Sequence, residues 1–161
     1  MNFKTSIENN AHICAVAAAA DELGLETYIV GGYVRDLIMN RDNKDIDFVC
    51  IGSGIDLAQK VASNMDGNVH VHVFRTFGTA MINAGDVELE FVGARKESYD
   101  FNSRKPTVES GTLEDDQLRR DFTINALAIC LNKDRFGELV DPFDGVGDIK
   151  RKVIKTPQDA L

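Results

Sequence analysis

Two aspartates separated by a single residue are the strongest chemical feature of this sequence. Asp45 and Asp47 flank Ile46 at the start of an apolar run. In an extended strand, residues i and i+2 point to the same face, so the two carboxylates are predicted to lie side by side. Carboxylates that close repel each other unless a cation lies between them. Hard oxygen ligands suit Mg²⁺, which binds through one or two carboxylates together with substrate phosphates and several waters.

A glycine turn precedes the two aspartates and has the features of a phosphate-binding site. Gly31 and Gly32 allow the backbone to approach a phosphate chain, and the planar guanidinium of Arg35 suits phosphate oxygens. Together, the turn and the aspartates predict a metal-dependent site for a nucleoside triphosphate. Each motif alone has a structural alternative, because D-x-D is often a solvated strand end and Gly-Gly is often only a tight turn.

Later charged residues could complete this site. Glu88 and Glu90 share one face of a strand predicted over residues 86–92, and Glu90 is predicted to be a third carboxylate if that strand neighbours the aspartates. The alternative for this pair is the exposed face of a strand. Three carboxylates around two cations, about 3.5–4 Å apart, would suit an in-line displacement at phosphorus. Arg119 and Arg120 are predicted to converge on the triphosphate, with an ordinary basic helix turn as the alternative.

The elements that must position these groups follow from the hydrophobic pattern. Helices are predicted over residues 7–23, 33–40, 56–65 and 113–131, the last with a break near residue 121. Strands are predicted over residues 27–30, 45–51, 69–74, 79–83, 86–92 and 153–154, with a long loop over 96–112. The later strands follow one another too closely for a parallel βαβ series. The predicted fold is therefore α/β of the α+β kind, with a mixed, largely antiparallel sheet and helices packed on one side.

Length and composition limit the class of protein. The chain has 161 residues, 43% hydrophobic and 27% charged, as expected for one globular domain. No apolar run approaches the roughly 20 residues that span a bilayer, and no signal-peptide pattern begins the chain. We therefore expect a cytoplasmic location and no membrane partner. Cys14, Cys50 and Cys130 are odd in number and widely separated, which predicts reduced core thiols.

The net charge of −8 argues against a chain that binds nucleic acid unaided, since such domains are usually basic. Either a polymeric partner is gripped by a part of the protein outside this chain, or the substrate is small.

Five strings together resemble a known family. They are GGYVRD, DIDFV, FVGARKESY, LRRDFTINALAI and DPFDG. In this order and spacing they are similar to the head domain of the class II tRNA nucleotidyltransferase and bacterial poly(A) polymerase family, within the DNA polymerase beta superfamily. The resemblance covers about residues 27–156. It implies a nucleotidyltransferase head domain over residues 1–150, with residues 151–161 starting the connection to a neck domain that this chain lacks.

The resemblance also implies roles for individual residues. Asp45 and Asp47 match the pair that holds the catalytic magnesium ions of the family. The residues that match its nucleotide-binding motifs are Gly31, Gly32, Arg35, Asp36, Arg119, Arg120, Asp121 and Asn125. In that family, the motif that matches Arg119, Arg120, Asp121 and Asn125 contacts the ribose of the nucleotide and so favours ribonucleotides.

The implied activity is the transfer of nucleotides from CTP or ATP to the 3′ end of an RNA, with tRNA as the expected acceptor and CCA addition as the expected product. Poly(A) synthesis and the addition of CC or A alone stay open, because the base-selecting E-D-x-x-R motif of the neck does not follow here. The chain alone is therefore expected to be a poorly active fragment. Two other functions stay open: a nucleotide-binding module without catalysis, and a nucleotidyltransferase that modifies a small molecule such as an antibiotic.

Overall fold

The described chain consists of short helices and strands, with five consecutive strands in its middle. The computed structural model describes residues 1–67, 69–99 and 106–157. Its helices are α1 (Lys4–Ile7), α2 (Ala11–Leu23), α3 (Gly32–Ile38), α4 (Gly54–Asn64), α5 (Leu113–Leu118) and α6 (Gly145–Arg151). Its strands are β1 (Thr27–Val30), β2 (Asp45–Cys50), β3 (Val71–Phe74), β4 (Thr79–Ala84), β5 (Val87–Gly93), β6 (Arg95–Tyr99), β7 (Pro106–Ser110), β8 (Ala128–Cys130) and β9 (Leu139–Val140).

One seven-stranded sheet organises the molecule, in the order β3-β4-β5-β2-β1-β8-β9. The β2–β5 pair is parallel and the other pairs of this sheet are antiparallel. The predicted mixed, largely antiparallel sheet is therefore confirmed. The parallel pair matters for the site, because its register sets Asp45 opposite Glu88 and Asp47 opposite Glu90.

The main hydrophobic core lies between the sheet and helices α2 and α4. Phe48 and Phe91 stack on this face with ring centroids 5.3 Å apart. Helix α2 begins at Asn10, whose side chain accepts hydrogen bonds from two backbone amides of the first turn, and it ends at Gly24 in the left-handed conformation. The alternation of strand residues leaves Asp45, Asp47 and Val49 on the opposite face.

A smaller apolar cluster covers part of that opposite face. It combines Val30 and Val49 from the sheet with Leu113, the first residue of α5. The prediction that helices pack on one side is therefore wrong for α5. This helix packs beside the strand that carries the aspartates, and so it brings the arginines that follow it close to them.

The predicted helix over residues 113–131 is wrong beyond Leu118. There α5 ends, and a 3₁₀ turn (Thr123–Asn125) then leads into β8, which lies between β1 and β9. Ala126 to Leu131 are all buried. A continuous apolar run is typical of a strand covered on both faces, and periodicity alone cannot distinguish it from a buried helix.

The long loop predicted over residues 96–112 is also wrong, because β6 and β7 form an antiparallel hairpin that pairs Arg95 with Ser110. This hairpin is mostly polar in sequence, so no apolar alternation revealed it. The strand predicted at residues 153–154 is absent from the described structure. Val153 instead donates its backbone N–H to the Asp148 carbonyl at 2.9 Å, which closes the end of α6.

The remaining predicted elements are confirmed. Their ends differ from the prediction by one or two residues, except that α2 begins four residues later than the helix predicted over 7–23. Cys14, Cys50 and Cys130 are free thiols, two of them buried. Within the described ranges, no helix is long and apolar enough to cross a membrane. The domain boundary at residues 150 and 151 falls in the last turn of α6 and stays a prediction.

Candidate active site

The turn after β1 places backbone directly beside a carboxylate and a guanidinium. Gly31 has φ +75°, a conformation that L side chains rarely adopt, and it starts α3. A Cβ at this position would lie 3.1 Å from Nη1 of Arg120 and 3.8 Å from Oδ2 of Asp47. Both the backbone angle and the crowding therefore favour glycine here. At Gly32 the neighbour is Arg35, whose Nη2 would lie 3.3 Å from an added Cβ.

The carboxylates of β2 and β5 lie next to each other, as the sequence predicted for neighbouring strands. Asp45 and Glu90 are exposed and Asp47 is half-buried. Burial is the main cause that raises the pKa of Asp47 to about 6, and the nearby Glu90 carboxylate raises it further. The positive charge of Arg120 opposes this rise. Asp47 and Glu90 are thus a crowded acidic pair that a cation would stabilise.

The donor set suits a cation that brings other ligands with it. Among the described residues, no group of three or more His, Cys, Asp or Glu side chains is placed to hold a metal ion. Mg²⁺ does not require such a cage, because it keeps waters and is bound through one or two carboxylates plus substrate phosphates. Asp45 and Asp47, with Glu90 beside them, fit that mode of binding.

Arg35 links helix α3 to the 3₁₀ turn that precedes β8. Its Nε donates to Oδ1 of Asp36 at 3.0 Å, and its Nη1 donates to Oδ1 of Asn125 at 2.8 Å. Asn125 in turn donates from Nδ2 to Oδ1 of Asp121 at 3.0 Å, and this hydrogen bond lowers the pKa of Asp121. The predicted residues Arg35, Asp36, Asp121 and Asn125 therefore form one hydrogen-bonded chain.

These hydrogen bonds bear on the phosphate-binding role that the sequence predicts for Arg35 and on the role of Asp36. Arg35 was predicted to offer its guanidinium to a phosphate, but two of its nitrogens donate to protein oxygens and its side chain is 30% exposed. Asp36 also accepts a hydrogen bond from Asn43 at 2.8 Å. Although burial acts in the other direction, the bonds from Arg35 and Asn43 lower the pKa of Asp36. Arg35 therefore holds Asn125 near the glycine turn, and Asp36 holds Arg35.

The two arginines after α5 are held by one buried carboxylate, Asp116, which sequence reasoning missed. The Asp116 side chain is 2% exposed and accepts from Nε of Arg120 at 2.9 Å and from Nη2 of Arg119 at 3.5 Å. The sequence contained a signal for this contact, because Asp116 and Arg120 are four residues apart and that spacing brings two side chains onto one helix face. Arg120 is the less exposed of the two and reaches Gly31, so the predicted arginines are not equivalent.

A cavity of about 170 Å³ lies on the α5 side of the sheet, and several of these charged side chains line it. Carboxylates and guanidiniums line it together with valines of the three central strands: Val30, Asp47, Phe48, Val49, Glu90, Val92, Asp116, Arg119 and Arg120. A larger cavity of about 400 Å³ lies between α3 and the β4–β5 turn and is lined by none of the predicted site residues. The smaller cavity suits the predicted triphosphate site better, because carboxylates and guanidiniums both line it beside the glycine turn.

Comparison with known proteins decides the family. The model of the poly A polymerase head domain matches residues 27–155, which include the glycine turn, both aspartates and the arginine pair. The chain belongs to this family. The family that the five sequence strings predicted is therefore confirmed.

Several relatives extend this result. The A-adding tRNA nucleotidyltransferase of Aquifex aeolicus is 46% identical over 131 residues, which cover 81% of this chain and 16% of that protein. A CCA-adding enzyme of Lactobacillus delbrueckii subsp. bulgaricus is 37% identical over 137 residues, covering 84% of this chain and 32% of the relative. This chain therefore spans at most about a third of the length of these two relatives.

Solved structures agree with the fold. A crystal structure of a tRNA nucleotidyltransferase complexed with a primer tRNA and an incoming ATP analog superposes with a TM-score of 0.78 at 43% identity. The match covers 89% of this chain and 39% of that one. A tRNA-processing enzyme with CTP gives a TM-score of 0.77 at 42% identity, covering 89% of this chain and 35% of the other.

Proposed function

We propose that this chain is the catalytic head domain of an RNA nucleotidyltransferase that transfers nucleotides from CTP or ATP to the 3′ end of tRNA. The observation that carries the proposal is the meeting of Asp47, Glu90 and Arg120 at the Gly31 turn. Relatives named A-adding and CCA-adding tRNA nucleotidyltransferases, and neighbours bound to primer tRNA, an ATP analog or CTP, support the substrates.

Asp45 and Asp47 would hold the catalytic Mg²⁺ ions, with Glu90 as the adjoining third carboxylate. Bound there, the ions would favour deprotonation of the attacking 3′-hydroxyl and neutralise charge on the leaving pyrophosphate. The raised pKa of Asp47 supports this assignment, because a cation would relieve the burial and repulsion that disfavour its ionised form.

The other residues would bind and orient the triphosphate. Arg120 lies beside Gly31 and Asp47, where its charge can contact a phosphate oxygen, and Asp116 fixes its direction. Asn125, which accepts a hydrogen bond from Arg35, would contact the ribonucleotide sugar. Positioning and neutralisation of charge supply most of the acceleration in phosphoryl and nucleotidyl transfer, so this division of roles is sufficient for the chemistry.

The Asp45→Ala, Asp47→Ala double variant of the full-length protein tests the metal assignment. We expect loss of nucleotide transfer with an unchanged circular dichroism spectrum. Nucleotide transfer by that variant would contradict the assignment. Triphosphate binding that is independent of Mg²⁺, without pyrophosphate release on any RNA, would instead favour a non-catalytic binding module.

The nucleotides added to the RNA distinguish CCA addition from the addition of CC alone, A alone or poly(A). We retain CCA addition as the prediction, although relatives named A-adding and relatives named CCA-adding are both similar to this chain. The full-length protein would be supplied with tRNA lacking its 3′ end, and the products sequenced. A terminal A alone, CC alone, or a poly(A) tract on unrelated RNA would each replace that prediction.

A further inference from the structure

We propose that the turn between β3 and β4, residues Phe74 to Gly78, binds the single-stranded part of the RNA that leads to the reacting 3′ end. Bases would stack on Phe77, and phosphates would contact Arg75 and Arg95. The proposal deepens the function proposed above and rests on it, because the strand to be held is that acceptor.

Two aromatic rings are displayed on this turn. Phe74 is 47% exposed and Phe77 is 62% exposed, and they are three residues apart around a 3₁₀ turn that ends at Gly78 in the left-handed conformation. A single exposed apolar residue needs no explanation. Two exposed rings beside two arginines are different, since proteins that bind single strands combine aromatic stacking faces with positive charge along the backbone path.

The arginines at the turn carry charge that the described carboxylates do not neutralise. Nη1 of Arg95 donates to the Phe77 carbonyl at 3.2 Å, which fixes this side chain against the turn, while its Nε is buried with no hydrogen-bond partner among the described residues. Among the residues whose side chains the structure describes (1–67, 69–95 and 110–157), neither Arg75 nor Arg95 forms an ion pair with a carboxylate. The arginines that do form such pairs are Arg35, Arg119, Arg120, Arg135 and Arg151. In a chain of net charge −8, two cations at one turn, neither of them paired with a described carboxylate, are complementary to a phosphate backbone.

A cavity next to Arg95 gives the backbone a place to lie. It has a volume of about 380 Å³ and is lined by Ser53, Gly78, Arg95 and Ser110 together with three further glycines and two apolar residues. No carboxylate is among the described residues that line it. Gly93, at the end of β5, also lines it and follows Glu90 by three residues, about 10 Å along the strand. A strand whose end lies at Asp47 can therefore reach this surface with its preceding nucleotides.

Fluorescence anisotropy with a short labelled oligocytidylate tests the proposal on the 161-residue chain. Phe77→Ala should weaken RNA binding about fivefold to a hundredfold, as expected for the loss of one stacked base. Arg75→Gln should weaken binding less and should lower the dependence of log affinity on log salt by about 0.7, the value for one phosphate contact on a single strand. Both side chains are exposed, so neither change should disturb folding.

Matched variants lie elsewhere on the surface. Leu23→Ala removes an exposed apolar side chain from the end of α2, and Lys133→Gln removes an exposed cation near β9, at the other edge of the sheet. Both should bind oligocytidylate as the wild type does. An abasic strand of the same length should bind the wild type and Phe77→Ala equally, because it has no base to stack.

The outcomes distinguish this proposal from the proposed function. Absence of RNA binding by the wild type, or equal affinities for all four variants, would overturn the RNA surface. Triphosphate binding measured on the same samples should not change with Phe77 or Arg75. Failure of the wild type to bind CTP or ATP would contradict the proposed function, whereas loss of RNA binding confined to Phe77→Ala and Arg75→Gln would still support the surface.

Discussion

Replacement of Asp47 by asparagine should stabilise the metal-free domain at neutral pH. Its carboxyl has a pKa of about 6 in the folded chain, against an ordinary value of 3.8, because burial and Glu90 disfavour the ionised form. Between these two values the folded state holds the proton more tightly than the unfolded state. Stability is therefore lost as pH rises through this window, and the loss is complete above pH 6. Asparagine has the same shape and carries no charge at any of these pH values.

The size of the gain follows from the shift. About two pKa units correspond to at most about 3 kcal/mol, and partial exposure of the side chain reduces this to about 1–2 kcal/mol. For a domain of this size, that is a rise in Tm of roughly 2–8 °C. The gain should shrink towards zero near pH 4, where the wild-type carboxyl is protonated in the folded state and the charge difference disappears.

Thermal unfolding followed by circular dichroism, with EDTA present, measures this effect at pH 8 and pH 4. Asp45→Asn is the matched control, since Asp45 is exposed and its replacement should change stability by less than about 0.5 kcal/mol. Added Mg²⁺ should stabilise the wild type and not Asp47→Asn. A lower Tm for Asp47→Asn at pH 8, or an equal gain at both pH values, would refute the reasoning.

Two further variants test the positions of Arg120 and Gly31. Asp116→Asn should destabilise the domain by about 1.5–3 kcal/mol, because it removes a charged acceptor from two arginines, and it should weaken ATP binding measured by calorimetry. Unchanged affinity for ATP would show that Arg120 does not depend on this carboxylate. Gly31→Ala should cost about 1–3 kcal/mol for its backbone angles, φ +75° and ψ −140°, and more for its contact with Arg120, as measured by urea unfolding. Gly85→Ala is its control, with φ +65° and no atom within 4 Å of the added Cβ; equal losses in the two variants would exclude a role for the Arg120 contact.

Local patterns were sufficient to predict the strands that carry the aspartates. Asp45-Ile46-Asp47 alternates polar and apolar residues, so the shared face of the carboxylates followed from strand geometry. Gly24 indicated the end of α2, and Gly31 indicated the start of α3. The placement of Glu90 needed one assumption, that β5 lies beside β2, and the sheet order confirms it.

Properties that depend on tertiary packing could not be predicted in the same way. Ala128–Cys130 is apolar at every position, and only its place between β1 and β9 makes it a strand rather than a helix. The orientation of α5 depends on Leu113 packing against the second face of the sheet. Without that orientation, the spacing of Asp116 from Arg119 and Arg120 indicated a possible ion pair but could not show which arginine reaches Gly31.

The parallel register between β2 and β5 has a consequence for changes in chain length. Residues 51–86 connect these two strands through α4, β3 and β4, and turns within this connection can be lengthened without moving Asp47 away from Glu90. Deletion of one residue inside β5 ahead of Glu90 has the opposite effect, because a slip of one position turns every side chain to the other face. Glu90 would then take the place of Leu89 in the core, opposite Ile46, so tolerance to changes in length should differ sharply between this connection and the strands it joins.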